Sequence, residues 1–169
     1  MNPEVLGFWS MAVVLVYWPG LGGGFVFDDY PNIVQNVPLH VTRLVWNDWI
    51  AAALSSRSSV MQRPIAMLTF AANHYFTGMD PVPMKLTNVL IHALNALLVF
   101  GLARNLLAAV SPHESARESK NAWLAMFISG CWALHPINLM AVLFVVQRME
   151  SLSHVFVLAG LWMYVAGRL

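Results

Sequence analysis

Three groups of residues in this chain have types and spacings that could do chemistry. The first is the adjacent pair Asp28 and Asp29 in the string FVFDDYPNI. Two neighbouring carboxylates repel each other and lose solvation near a membrane surface, so something must compensate them. One of them could act as a general base on an acceptor hydroxyl, or the pair could offer oxygen ligands to a divalent cation. The plain alternative is a solvated turn, because Asp-Asp-Tyr-Pro-Asn has turn composition. The second group is HPINLMAVLFVVQRMES, which carries His135, Arg148 and Glu150. Arg148 follows an apolar stretch where a membrane chain avoids charge, so an anionic partner is expected. A lipid phosphate suits its guanidinium, as would Glu150 or Asp28. The third is Arg63 in MQRPI, a second candidate phosphate ligand. For both arginines the competing reading is snorkelling to the interface.

Composition says what must position these groups. Of 169 residues, 59% are hydrophobic and only 10% are charged, with nine basic against eight acidic side chains. A soluble domain carries about 25% charged residues, so the balance points to an integral membrane protein and excludes a disordered chain. A net charge of +1 gives no electrostatic footprint for nucleic acid. One cysteine, Cys131, excludes an internal disulfide framework and a multi-cysteine metal site. No cofactor is indicated.

A helix needs about 20 mostly apolar residues to cross a bilayer. Four stretches approach this, at about 5–21, 86–107, 122–134 and 152–166, and together they predict an all-α polytopic protein with a single membrane domain over 1–169. The first span lacks the basic leader of a signal peptide, having Glu4 ahead of its apolar run, and reads as an uncleaved anchor. Pro19 and Gly22-Gly23-Gly24 end it. Arg104, Arg117 and Lys120 between spans two and three, with Arg168 after span four, place those segments and the N-terminus in the cytoplasm. The long loop at about 25–85 and the turn at His135 then share the opposite face. Within that loop, Leu39–Leu54 and Arg63–Gly78 read as amphipathic interfacial helices or as ordinary buried ones, joined by the polar connector LSSRSS (Leu54–Ser59). His92, with Asn88 and Asn95, forms a polar stripe on one face of span two, which interhelical hydrogen bonding explains. His74 and His154 are weaker signals.

In order along the chain, FVFDDYPNIVQN, QRPIAMLTFAANHYFTGMDPVPMKLTNVLIHALNALLVF and HPINLMAVLFVVQRMESLS resemble the N-terminal part of polytopic C-type glycosyltransferases. The likeness is to the transmembrane-and-TPR O-mannosyltransferases and their bacterial TPR-containing relatives, and it covers essentially the whole chain. It implies transfer of a sugar from a polyprenyl-phosphate carrier to a hydroxyl acceptor, often Ser or Thr of a protein. The expected partners are the bilayer, the lipid-linked sugar and an acceptor protein. The location implied is a membrane, with a bacterial inner membrane expected. The resemblance makes Asp28 and Asp29 catalytic, with Arg63, His135, Arg148 and Glu150 as substrate-binding candidates and no resident metal. Family members commonly carry a glutamate five residues after the His of the His-Pro pair; here that position is Met140, and Glu150 is the nearest substitute. They also have many more spans and usually a repeat domain. A chain of about four spans is therefore expected to be an N-terminal module, a small stand-alone relative, or a non-catalytic truncated protein or assembly partner.

Overall fold

The computed structural model describes residues 3–57, 62–110 and 117–169, with the backbone alone for 3–6, 8–10, 117 and 118. Ser58 and Ser59 of the polar connector, and the Glu4 and Arg117 side chains, lie outside the described residues. The described chain is helical: α1 (Pro3–Tyr17), α2 (Trp46–Ala53), α3 (Pro64–Thr77), α4 (Pro81–Val110), α5 (Arg117–Ala133), α6 (Asn138–Leu143) and α7 (Arg148–Ala166). A π-helical turn at Tyr30–Val34 and 3-10 turns at Trp18–Gly20, Val37–Leu39 and Val145–Gln147 join them.

Helix α4 is the axis of the bundle. Its start is set by Asp80, whose Oδ1 accepts the Val82 N–H at 2.9 Å, and by Pro81 in the first turn. It therefore begins five residues before the span expected from Leu86 and runs for 30 residues, about 45 Å at 1.5 Å per residue. Named contacts fix the neighbours' directions. The His92 ring N–H donates to Ala133 O at 2.9 Å and Ser129 Oγ donates to Ala96 O, so α5 runs antiparallel to α4. Arg148 reaches Met84 and Asn88, and Asn95 reaches Ser151, so α7 runs parallel to it. Tyr17 Oη donates to Ala133 O at 2.8 Å, and Lys85 Nζ donates to Gly23 O at 2.7 Å. The C-terminal end of α1 thus meets the N-terminal end of α4.

The described residues of segments 22–80 and 134–147 accordingly gather at one end of the bundle. Among the described residues two helical stretches, Pro81–Val110 and Val145–Ala166, are long and apolar enough to cross a membrane. Helices α1 and α5, with 15 and 17 described residues, fall short of that length, so the structure supports two spans by this measure where the sequence suggests four. The last span also begins earlier than expected, because α7 starts at Arg148.

Two cores form. One lies inside the bundle, among Val13, Tyr17, Val89, Ala93, Ala96 and Val142. The other belongs to the long loop and packs it onto the bundle's end: Ile33, Leu39, Met67 and Phe70 close against Met84, Val145 and Met149. Helix α3 appears where its punctuation predicts, with Pro64 in the first turn and Gly78 (φ +70°) capping the end through an N–H bond to His74 O. It buries Ala66, Met67, Phe70 and Ala71, which favours the buried-helix reading, although Phe76 and Ile65 stay exposed. The Leu39–Leu54 helix is shorter than expected and begins only at Trp46. The β-branched residues Val41, Thr42 and Val45 disfavour extending it backward.

Candidate functional site

The tandem aspartates divide their labour. Asp29 is 0% exposed and clamps two backbones: Val146 N–H donates to its Oδ1 at 2.7 Å, and Val26 N–H donates to its Oδ2 at 3.0 Å. Val146 lies in the 3-10 turn leading into α7, where N–H groups have no intrahelical acceptor, so the carboxylate works as a remote helix cap. Charge-assisted bonds of this kind are the strong ones. Asp28 points the other way. It is exposed, and its backbone carbonyl accepts the Asn32 side-chain amide at 2.8 Å. The pair therefore presents one buried carboxylate and one free to meet a solute. The residue before it, Phe27, is a non-glycine with φ +44° and rests against Phe144. Such backbone costs about 1–3 kcal/mol and tends to sit at functional sites.

Behind Asp29 lies a residue that the sequence reading passed over. Lys85 is 4% exposed, gives its ammonium to Gly23 O, and feels Asp29 as its anionic neighbour. A Cβ on Gly23 would stand 2.9 Å from Lys85 Nζ, so the triglycine stretch admits this approach because it has no side chain there. Lysine occurs only twice in the chain, and one placed inside an apolar helix is a signal that could have been followed.

Arg148 corrects an expectation. Instead of an anion, it has neutral partners and 0% exposure: Nε donates to Asn88 Oδ1 at 2.8 Å, Nη2 to Met84 O at 2.7 Å and Nη1 to Thr69 Oγ1 at 3.3 Å. The Phe70 ring lies 4.4 Å from its Cζ. Asn88 in turn donates to Phe144 O and Val145 O. In this arrangement Arg148 ties α3, α4 and α7 together and has no path to a lipid phosphate.

Of the two arginine candidates, Arg63 is the accessible one. Its Nη1 meets Glu150 Oε1 at 2.9 Å, with side chains 37% and 51% exposed. The pair sits on the rim of a groove of about 360 Å³ walled by Ile65, Met149, Leu152 and Phe156. Gln62 and Arg63 both have left-handed backbone, φ +56° and +41°, which turns the chain sharply into α3. His135 is exposed at the end of α5, and its Nδ1 accepts the Ile137 N–H at 3.2 Å. It lines a separate apolar groove with Trp123, Phe127 and Pro136. Among the described residues no bond joins it to the aspartates or to the Arg63–Glu150 pair. No group of three His, Cys, Asp or Glu side chains stands together there either.

The structure thus brings the aspartate loop to the segment that follows the His-Pro kink, by the Asp29–Val146 bond, and Glu150 follows one helical turn later with Arg63 upon it.

Comparison with known proteins gives consistent relatives. Protein O-mannosyl-transferase TMTC3 of Homo sapiens is 32% identical over 158 residues, covering 90% of this chain and 16% of that protein. Protein O-mannosyl-transferase tmtc2 of Xenopus laevis is 32% identical over 169 residues, covering 92% and 18%. Protein O-mannosyl-transferase TMTC4 of Homo sapiens is 31% identical over 163 residues, covering 89% and 22%. The chain spans between 16% and 22% of the length of these curated relatives. No family model matches it, and no solved structure does. The relatives are animal proteins. With the two long apolar helices they support a membrane location, but they lend nothing to a bacterial inner membrane.

Proposed function

We propose, from the premise that this chain is a relative of the protein O-mannosyl-transferases over nine-tenths of its length, that it forms the acceptor-activating and phosphate-binding face of a membrane glycosyltransferase. The donor is a sugar linked to a polyprenyl phosphate, and the acceptor is a hydroxyl of protein Ser or Thr. Asp28 takes the proton of the acceptor hydroxyl as its oxygen bonds to the anomeric carbon of the sugar. The bond from that carbon to the phosphate oxygen breaks, and the electron pair leaves with the phosphate. A phosphate leaves readily without a general acid, so the demand falls on the base and on a cation for the departing charge. Arg63 supplies that cation once the phosphate displaces Glu150, and the groove walled by Ile65 and Phe156 takes the first part of the lipid chain. Asp29 and Lys85 hold the loop that presents Asp28.

One observation carries this reading: the Asp29–Val146 bond fastens the loop bearing an exposed carboxylate to the start of α7, whose first turn bears the Arg63–Glu150 pair. A non-catalytic membrane partner is the alternative. It draws on Asp29 and Arg148 being used inside the fold, but it leaves the exposed Asp28 and the strained Phe27 and Arg63 without employment. The test is transfer of labelled mannose from a polyprenyl phosphate to a Ser/Thr peptide by membranes containing the chain. Asp28→Asn is expected to lower the rate at least about a hundredfold with an unchanged amount of protein in the membrane. Equal rates in wild type and Asp28→Asn, or no transfer by wild type, would favour the non-catalytic partner.

A further inference from the structure

Deeper in the bundle, away from the aspartate loop, a cavity of about 210 Å³ opens between α4, α7, the end of α5 and α6. Asn95 lines it and is 1% exposed. Its Nδ2 donates to Ser151 O at 2.7 Å. Because a backbone carbonyl only accepts, that bond fixes which end of the amide is nitrogen. The other end, Oδ1, has no hydrogen-bond partner. A buried carbonyl oxygen left this way destabilises the fold, so a built interior should supply a donor.

His92 lines the same cavity. Its Nε2 must carry the proton given to Ala133 O, which leaves Nδ1 as a second acceptor. Trp132 stacks on the His92 ring with centroids 5.0 Å apart. Asn138, Ser151 and His154 also line the cavity, with Asn138 Nδ2 given to Trp132 O and Ser151 Oγ to Ala141 O; what is left unmet at Asn95 Oδ1 is a donor. Its remaining walls include Val99, Val157 and Leu158. Val157 is exposed on a helix apolar enough to cross a membrane, so the mouth opens beside apolar surface.

We propose that this cavity binds the hydroxyl group of a membrane-resident lipid alcohol, whose O–H donates to Asn95 Oδ1 while its chain lies along Val157 and Leu158. The group left unmet here is an acceptor, whereas the Arg63 groove offers a cation, so the site is distinct from that groove and does not depend on the transfer reaction proposed above.

The experiment uses the purified chain in detergent micelles, with a diazirine-bearing long-chain alcohol and its methyl ether as probes. The two share a shape, but only the alcohol can donate. Photolabelling mapped by peptide mass spectrometry is expected on the His154–Leu158 stretch, about tenfold stronger for the alcohol than for the ether. Asn95→Leu is expected to erase that excess. Val157→Trp, which fills the cavity without touching its polar groups, is expected to reduce labelling by the alcohol to the level of the ether. Equal labelling of wild type by the two probes would overturn the proposal and leave the cavity to water. So would an excess that persists in Asn95→Leu or in Val157→Trp.

Discussion

The two ends of the α4–α7 pair are built on opposite plans. At the end that carries the long loop, buried side chains alternate with buried polar groups. Arg148, Asn88, Lys85 and Asp29 are all enclosed and each is bonded to a named partner. At the other end, no residue of α4 beyond Phe100 and none of α7 beyond Ser151 is buried. Leu161, Met163 and Tyr164 face outward there. Both helices continue, and the side-chain bonds named above fall at or before Ala96 in α4 and Ser151 in α7. The difference teaches where precision is spent: the loop end must hold a charged, strained surface in one arrangement, whereas the distal end needs only an apolar exterior. In lipid such an exterior is satisfied without specific partners.

Substitutions should therefore cost far more at the loop end. The largest effect is expected from Arg148→Met. It keeps the volume and the apolar stem but leaves Asn88 Oδ1 enclosed without its donor and Met84 O with its intrahelical bond alone, and it removes the cation from the Phe70 face. A loss of about 3 kcal/mol or more is expected, read as a lowered midpoint of thermal unfolding in detergent. If Arg148→Met unfolds like wild type, the polar layer is not what holds the loop end.

Next comes the contrast within the aspartate pair. Asp29→Asn replaces one of two acceptor oxygens by a donor that faces a backbone N–H, and a loss of about 2 kcal/mol is expected. Asp28→Asn changes an exposed side chain and should stay within about 0.5 kcal/mol. The same thermal assay compares the two. Equal shifts would remove the division of labour between clamp and exposed carboxylate.

Much of this arrangement was legible in the sequence, for reasons that differ by element. Pro64 and Gly78 bracket α3 because their backbone preferences are local. The meeting of the aspartate loop with the stretch after His135-Pro136 followed from counting passes across a bilayer. The start of α4 was also written locally, in Asp80-Pro81, but hydropathy hid it: Lys85 looks like the edge of a span until Gly23 O and Asp29 are placed beside it. Arg148 could not be read. A charge in an apolar setting implies an anion, and its actual partners are neutral oxygens on Thr69, Met84 and Asn88, more than fifty residues away in sequence. Leu39–Leu54 misled because Leu39 and Trp46 keep helical spacing across residues that are not helical. The likeness to O-mannosyl-transferases supplied the reaction class; spacing alone left Asp28 and Asp29 equivalent, and burial separates them.

The smallest effect should come from the distal end, at the close approach of Gly101 to Trp162. A Cβ on Gly101 would stand 3.0 Å from Trp162 Cε2, which in a tightly packed interior would force strain. Here Trp162 is 39% exposed, so its ring can swing outward by the few tenths of an ångström required. Exchanging glycine for alanine in a helix interior also gains up to about 1 kcal/mol of helix propensity. The two terms oppose each other, and Gly101→Ala is expected to change stability by less than about 0.5 kcal/mol while altering tryptophan emission as the ring moves. A loss above about 1 kcal/mol would mean that the distal halves of α4 and α7 interlock as specifically as the loop end, and the contrast between the ends would fail.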